Sequence, residues 1–388
     1  MAIGLATHAQ EAAEESSGFS VAISGERDLV DGSPHCTIVL NGVPVKMIMD
    51  TGFNRGVALF GPTADRLGIE TLAHESGRFS TATVDLKPAP GRGPQPPQQI
   101  YVLPFPYMSL IDGAVGWPLL DSVIWLIYYP DRRQDFLTRL PETVRDEWVW
   151  FPMVDSDDGL LTFEVIVDGK PVEAKLDTGS GDGVMLSHAQ WEKWTQANPD
   201  QWITLEAGYS PAARAGFVVQ PTAVVDRFML GELDLGQVDL SPSFAEVTLS
   251  GLDHPTVGYH LGMEALRNRA VVIDGPGKRV YFGPRVDPAD ELPDINRAQA
   301  TFIPDSLEGG AMAAHVVPDG AAYRAGLRDG DLILRVNGRD AANWQEDPLV
   351  RPTVVFHAEP GKVVELVVER GSEQHELAIT LEPSPLDP

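Results

Sequence analysis

The sequence predicts a mainly β protein made of two lobes from a duplicated β unit, followed by a small α+β domain. Three observations predict it. An apolar strand runs into Asp-Thr-Gly twice, at Val45–Phe53 and again at Val172–Ser180. The two aspartates are 127 positions apart (177 minus 50), and the match extends ungapped from Asn41-Gly42 against Asp168-Gly169 to Gly56–Leu59 against Gly183–Leu186. Downstream of each motif an apolar residue is followed by glycine, in Ala114-Val115-Gly116 and His260-Leu261-Gly262, at an offset of 146 (262 minus 116). One tripeptide occurs by chance; two motif pairs in register mark an internal repeat. Finally, beyond about Gln299 the grammar changes to short strands punctuated by glycine turns.

Taken in order, residues 1–19 read as a leader or signal remnant. Ala2–Gln10 resembles the tail of a secretory signal but lacks a basic start and a full apolar core. The first lobe is expected over 20–147. Thr37–Leu40, the turn Asn41-Gly42 and the returning strand deliver Asp50 into its turn. A short helix is expected over Gly61–Ile69 with Thr63 as cap, then a Pro-rich loop over Lys87–Gln99. The apolar run Val123–Tyr129 suits a buried strand, and Leu140-Pro141 closes the lobe. The second lobe is expected over 148–285. Trp148–Met153 bridges into it, Ser187–Asn198 is helical, and Trp202–Val225 makes two strands joined around Tyr209. A linker follows over 286–298, and the last domain occupies 299–384, with a helix within Asp319–Leu327 and a closing hairpin turning at Arg370-Gly371.

The chain has 388 residues, enough for two or three cores. A formal charge of -27 argues against nucleic acid, whose phosphates demand a basic face. Cys36 is the single cysteine, so no internal disulfide can form, and its apolar setting suits a buried small residue. Of the nine histidines no pair has metal spacing; His254 and His260 fall on an expected loop. No metal and no cofactor is expected. A serine hydrolase would need a Gly-x-Ser-x-Gly elbow between strand and helix, and none is found in that setting.

Two aspartates brought together by like lobes can share one proton, because like charges in contact do not both ionise easily. The ionised partner can take a proton from a water while the other polarises a carbonyl. With these residues and the two apolar-Gly steps, residues 20–284 resemble aspartic proteases of the retropepsin and pepsin group. The resemblance implies a two-lobed aspartic endopeptidase with Asp50 and Asp177 as catalytic residues. It also implies support from Thr51, Gly52, Thr178, Gly179 and Ser180, and a flap for which Tyr209 is the candidate. Phe53 departs from the group's pattern, since its side chain cannot donate to a carboxylate. An inactive peptide-binding adaptor of the same fold is the alternative, favoured if Phe53 wedges the aspartates apart. The tail, through Gly320–Ile333, resembles a PDZ domain of bacterial envelope proteases. That resemblance implies uptake of an extended peptide or chain terminus, here expected at Gly310, Ala311, Met312 and Ala313. Expected partners are thus a protein or peptide substrate and a PDZ ligand, with neither nucleic acid nor a membrane span and with one chain sufficing. An extracytoplasmic location is expected, a cytoplasmic one staying open.

Overall fold

The structure, a computed structural model, describes residues 20–22, 33–74, 79–84, 98–103, 111–131, 133–209, 217–243, 258–286, 295–304, 311–344, 347–350 and 355–384. The expected leader, most of the Pro-rich loop and most of the linker lie outside them. The described chain is mainly β and forms two compact units. Unit 1 is Met1–Met185, Arg227–Gly236 and Ser250–Pro288; unit 2 is Leu186–Asp226, Gln237–Leu249 and Ala289–Pro388. Both Asp-Thr-Gly segments therefore sit in unit 1, while the hairpin expected in lobe two groups with the tail.

In unit 1 the two expected hairpins form where the turn residues dictate. Asn41 and Gly42 take φ of 47° and 84°, and Asp168 and Gly169 take 51° and 74°. Two successive left-handed residues make the turn whose twist matches that of paired strands, and Asn-Gly and Asp-Gly enter it cheaply. His35–Leu40 pairs antiparallel with Val43–Asp50, and Thr162–Val167 with Lys170–Leu176. Each returning strand then lies parallel to the apolar-Gly step of its own half: Met49 opposes Val115, and Leu176 opposes Leu261. The duplication is therefore one of topology as well as sequence.

The halves also pair with each other. Ile124–Tyr128 runs antiparallel to Ala270–Asp274 with Trp125 opposite Ile273 and Ile127 opposite Val271. Shifting by the repeat offset of 146 turns the first of these pairs into the second, as a local two-fold axis requires. The strands bury Trp125, Leu126, Ile127, Val271, Val272 and Ile273 almost completely. Phe151, Phe163 and Phe282 pack nearby with ring centroids 5.6–5.8 Å apart.

Local differences from the expectations have simple causes. The helix over Gly61–Arg66 starts after Phe60, with Pro62 in its first turn where a missing N–H is harmless. Thr63 lies inside that helix and gives its hydroxyl to Asp112 at 2.9 Å, so it is not the cap. Glu142–Glu147 is helical, entered directly from Pro141. No helix among the described residues is long and apolar enough to cross a membrane.

In unit 2, Ser187 caps the His188–Ala197 helix in a reciprocal box with Gln190. Ile203–Tyr209 pairs with the start of Phe217–Leu230. The tail sheet orders its strands as Ala300–Pro304, Met312–Val316, Leu332–Val336, Val363–Arg370 and Glu373–Thr380. The helix of the tail is shorter than expected, Ala321–Arg324, and Gly326 at φ 103° ends it. Asp331, 1% exposed, receives both arms of the Arg370 guanidinium at 2.7 Å. Ile203–Tyr209 lies along the tail: Thr204 donates to the Asn296 carbonyl at 3.0 Å, Asn296 to the Leu205 carbonyl at 2.7 Å, and Gln299 to the Ile203 carbonyl at 2.9 Å.

Candidate functional site: a carboxylate pair and its histidine

The site is built by two strands ending at the same place. Val43–Asp50 and Lys170–Leu176 carry apolar side chains that are almost wholly buried near their ends, Met47, Ile48, Met49, Ala174 and Leu176. Each chain then turns through Thr-Gly. Thr51 and Thr178 are fully buried and lock the turns together. The Thr51 hydroxyl donates to the Leu176 carbonyl at 2.5 Å, and the Thr178 hydroxyl to the Met49 carbonyl at 2.6 Å. The backbone N–H of Thr51 donates to the Thr178 hydroxyl at 3.1 Å, and that of Thr178 to the Thr51 hydroxyl at 3.0 Å. These are buried donors and acceptors, so losing any one partner costs the desolvation of the group left behind.

The glycines bring the carboxyl groups together. A Cβ on Gly52 would lie 2.3 Å from Asp177 Cγ, and one on Gly179 would lie 2.3 Å from Asp50 Cγ. Each carboxyl group thus rests against the other motif's glycine, where any side chain would displace it. Gly52 N–H donates to its own Asp50 at 2.8 Å, and Gly179 N–H to Asp177 at 2.9 Å. The apolar-Gly steps close the floor: Gly116 N–H donates to the Gly56 carbonyl and Gly262 N–H to the Gly183 carbonyl, both at 2.9 Å.

The two sites differ in one feature that the sequence did not disclose. His260 lies on the Tyr259–Leu261 strand, not on a loop, and its Nε2 is 2.9 Å from Asp177 Oδ2. Its counterpart in the first half is Ala114, which cannot make such a bond. The echo of Ala114-Val115-Gly116 in His260-Leu261-Gly262 held the signal, a titratable residue at one of two matched positions. Loss of solvent and the neighbouring charge of Asp177 push Asp50 well above the usual carboxylate range. Loss of solvent also acts on Asp177, but the imidazole of His260, the hydrogen bond with Asp50 and the Gly179 N–H outweigh it and hold Asp177 below that range. The two shifts run in opposite directions, so the carboxyl groups differ in their hold on a proton, and a pair so coupled titrates as a unit. Such a pair can accept a proton at one oxygen and give one from another.

Phe53 does not wedge the carboxyl groups apart. Its ring packs over Gly116, where a Cβ would meet Phe53 Cδ1 at 2.8 Å. Nor is the Ser180 hydroxyl a donor to Asp177: it goes to Asp182 at 2.7 Å, and only the Ser180 N–H reaches Asp177, at 3.1 Å. Burial pushes the Cys36 thiol up to about 12, so it is no nucleophile. Tyr209 ends a strand opposite Phe217. The placement expected for the PDZ ligand is corrected. Gly310 lies outside the described residues, and Ala311 only precedes the strand that Met312 and Ala313 open. That strand is paired on both sides, Met312 with Pro304 and Ile333, Ala313 with Ile303 and Leu332, so no added strand can bond there. Strand addition needs an edge.

Comparison with known proteins bears on the tail and on activity. Residues 291–369 match the PDZ domain family, and the chain carries that domain. A probable periplasmic serine endoprotease DegP-like of Marinomonas sp. (strain MWYL1) is 30% identical over 115 residues, 30% of this chain and 22% of that protein. A protein of the same name from Halomonas elongata is 30% identical over 108 residues, 28% of this chain and 21% of that one. The serine protease Do-like HtrA of Lactobacillus helveticus is 22% identical over 218 residues, 56% of this chain and 49% of that one. The chain thus spans about a fifth of the first two relatives. Among solved structures, Basic 7S globulin from soybean shares 12% identity at a TM-score of 0.37, covering 69% of this chain and 94% of that one. Conglutin gamma from lupine seeds shares 12% at 0.38, covering 70% and 96%. The relatives' names correct the expected activity: they are serine endoproteases, and the aspartic-endopeptidase expectation is withdrawn. The geometry of the carboxylate pair is a separate observation.

Proposed function

We propose that this chain handles extended polypeptide outside the cytoplasm, with its PDZ domain as the binding module and Asp50 and Asp177 as a proton-active centre in unit 1. The observation that carries the reading is the PDZ match over residues 291–369. Domains of that kind take up an extended peptide by adding it to a sheet edge. The tail sheet ends at Ala300–Pro304, beside which Ile203–Tyr209 lies, and at Glu373–Thr380. The location rests on the periplasmic relatives.

The same relatives favour a second reading, peptide hydrolysis through a serine. That chemistry needs a hydroxyl within reach of a base. Ser180, beside the pair, gives its hydroxyl to the Asp182 carboxylate at 2.7 Å.

The test is titration of a fluorescent unfolded polypeptide with the full chain, read by anisotropy, with competing peptides bearing free or amidated C-termini. Saturable binding that unlabelled peptide displaces is expected; its absence overturns the proposal. A fluorophosphonate probe on the same sample decides the second reading: a labelled serine supports it, and an unlabelled chain refutes it.

A further inference from the structure

We propose that His260 is a positioning residue that decides which carboxyl group carries the shared proton, its imidazole donating to Asp177 and leaving the proton on Asp50. This rests on the reading of Asp50 and Asp177 as one proton-sharing pair. By itself the pair is close to symmetric. The threonine lock, the Gly N–H donors and the abutting glycines are matched between the halves, and each motif turn closes on its own apolar-Gly step. Trp117 N–H meets the Phe53 carbonyl and Met263 N–H the Ser180 carbonyl, both at 2.9 Å. Matched surroundings give the proton no preference.

Several positions differ between the halves, among them Ile48 against Lys175 and Arg55 against Asp182, together with the two that follow. Phe53 stands where the other half has Ser180, but the serine hydroxyl is spent on Asp182, so this difference does not reach the carboxylate. Ala114 stands where the other half has His260. The strand registers place both at the same step, Ala114 opposite Ile48 and His260 opposite Lys175, one residue before the pairs Met49–Val115 and Leu176–Leu261. Of these differences the imidazole is the one with a hydrogen bond to the pair. It reaches Oδ2 of Asp177, while Oδ1 receives the N–H groups of Gly179 and Ser180. Asp177 so gathers three donors; the N–H groups of Gly52 and Phe53 face Asp50.

The other ionisable groups nearby do not compete for that role. Lys175, opposite His260 on the paired strand, is committed to Asp158; Asp182 holds the Ser180 hydroxyl; Tyr259 is the strand neighbour. An imidazolium bonded to a carboxylate makes one of the stronger hydrogen bonds in a protein. It favours the ionised form of Asp177, and the resulting charge keeps the neighbouring Asp50 protonated.

The test follows the Asp side-chain ¹³Cγ resonances of the full chain against pH, assigned with Asp50→Asn and Asp177→Asn. Wild type is compared with His260→Ala and His260→Gln, folding being checked by tryptophan fluorescence. In wild type two well-separated steps are expected, the lower one on Asp177. In His260→Ala the lower step moves up by about 1–3 pH units, the usual effect of losing an opposite charge at this range. His260→Gln keeps a donor without the charge and falls between. If both wild-type carboxyl groups titrate separately near the ordinary value of about 4, the pair itself is refuted. If the wild-type pair is present and its lower step stays put in both variants, the His260 proposal alone is overturned.

Discussion

Replacing Thr178 by valine keeps the shape of the side chain and removes its hydroxyl. That hydroxyl donates to the Met49 carbonyl at 2.6 Å and accepts the Thr51 N–H at 3.1 Å, with both threonines fully buried. Valine therefore strands one buried acceptor and one buried donor, each costing about 1–3 kcal/mol, or about 2–6 kcal/mol together. Thr178→Ser keeps both bonds and loses one methyl, about 1 kcal/mol. The difference is read most directly in the exchange of the Thr51 amide hydrogen. Even 2 kcal/mol corresponds to roughly 30-fold faster opening in the valine variant, against less than about tenfold in the serine variant. Equal exchange at Thr51 in the two variants would refute the claim that the hydroxyl lattice fixes the motif turns.

The remaining predictions concern charge and close approach. Lys175 and Asp158 pair with side chains only 6% exposed, so Lys175→Met leaves a buried carboxylate and costs about 3–5 kcal/mol in urea unfolding, much of it regained in Lys175→Met with Asp158→Leu. Burial alone would raise Asp158, yet Lys175, Ser156 and the Leu160 N–H hold its carboxyl below the usual range. Its contribution is therefore present above about pH 4 and is lost as pH falls through the lowered value, which thermal unfolding across acid pH should show in wild type and not in Asp158→Asn. In the tail, Arg370→Gln removes both bonds to buried Asp331 and should cost about 1.5–3 kcal/mol by denaturant titration. Gly52→Ala places a Cβ 2.3 Å from Asp177 Cγ; it should destabilise unit 1 by about 1–3 kcal/mol and bring the two carboxyl titrations back toward the ordinary range.

Much of unit 1 was legible because its signals are local and doubled. Asn41-Gly42 and Asp168-Gly169 name their own turns, and the ungapped offsets of 127 and 146 placed Val115-Gly116 and Leu261-Gly262 against the right strands. What escaped is set by pairing across the fold. His260 looks like an isolated histidine until the parallel pairing of Tyr259–Leu261 brings it to Asp177. The Ile203–Tyr209 strand groups with the tail through Thr204, Asn296 and Gln299, polar residues with no periodic signature. In the tail, Met312 and Ala313 have a strand sequence, but local sequence does not say whether a strand is central or at an edge. Activity is one step further removed: Asp-Thr-Gly specifies a turn and a close approach of carboxyl groups, and a site of that shape does not by itself name a reaction.

The most direct test of the shared-proton pair is neutron diffraction from crystals of the deuterated protein grown near pH 5, about midway between the ordinary carboxylate and imidazole values. The assignment of the shared proton to Asp50 requires one deuteron there, directed at Asp177, and a second on Nε2 of His260 directed at Asp177 Oδ2. A deuteron on Asp177 instead, or two ionised carboxyl groups with none between them, would contradict it.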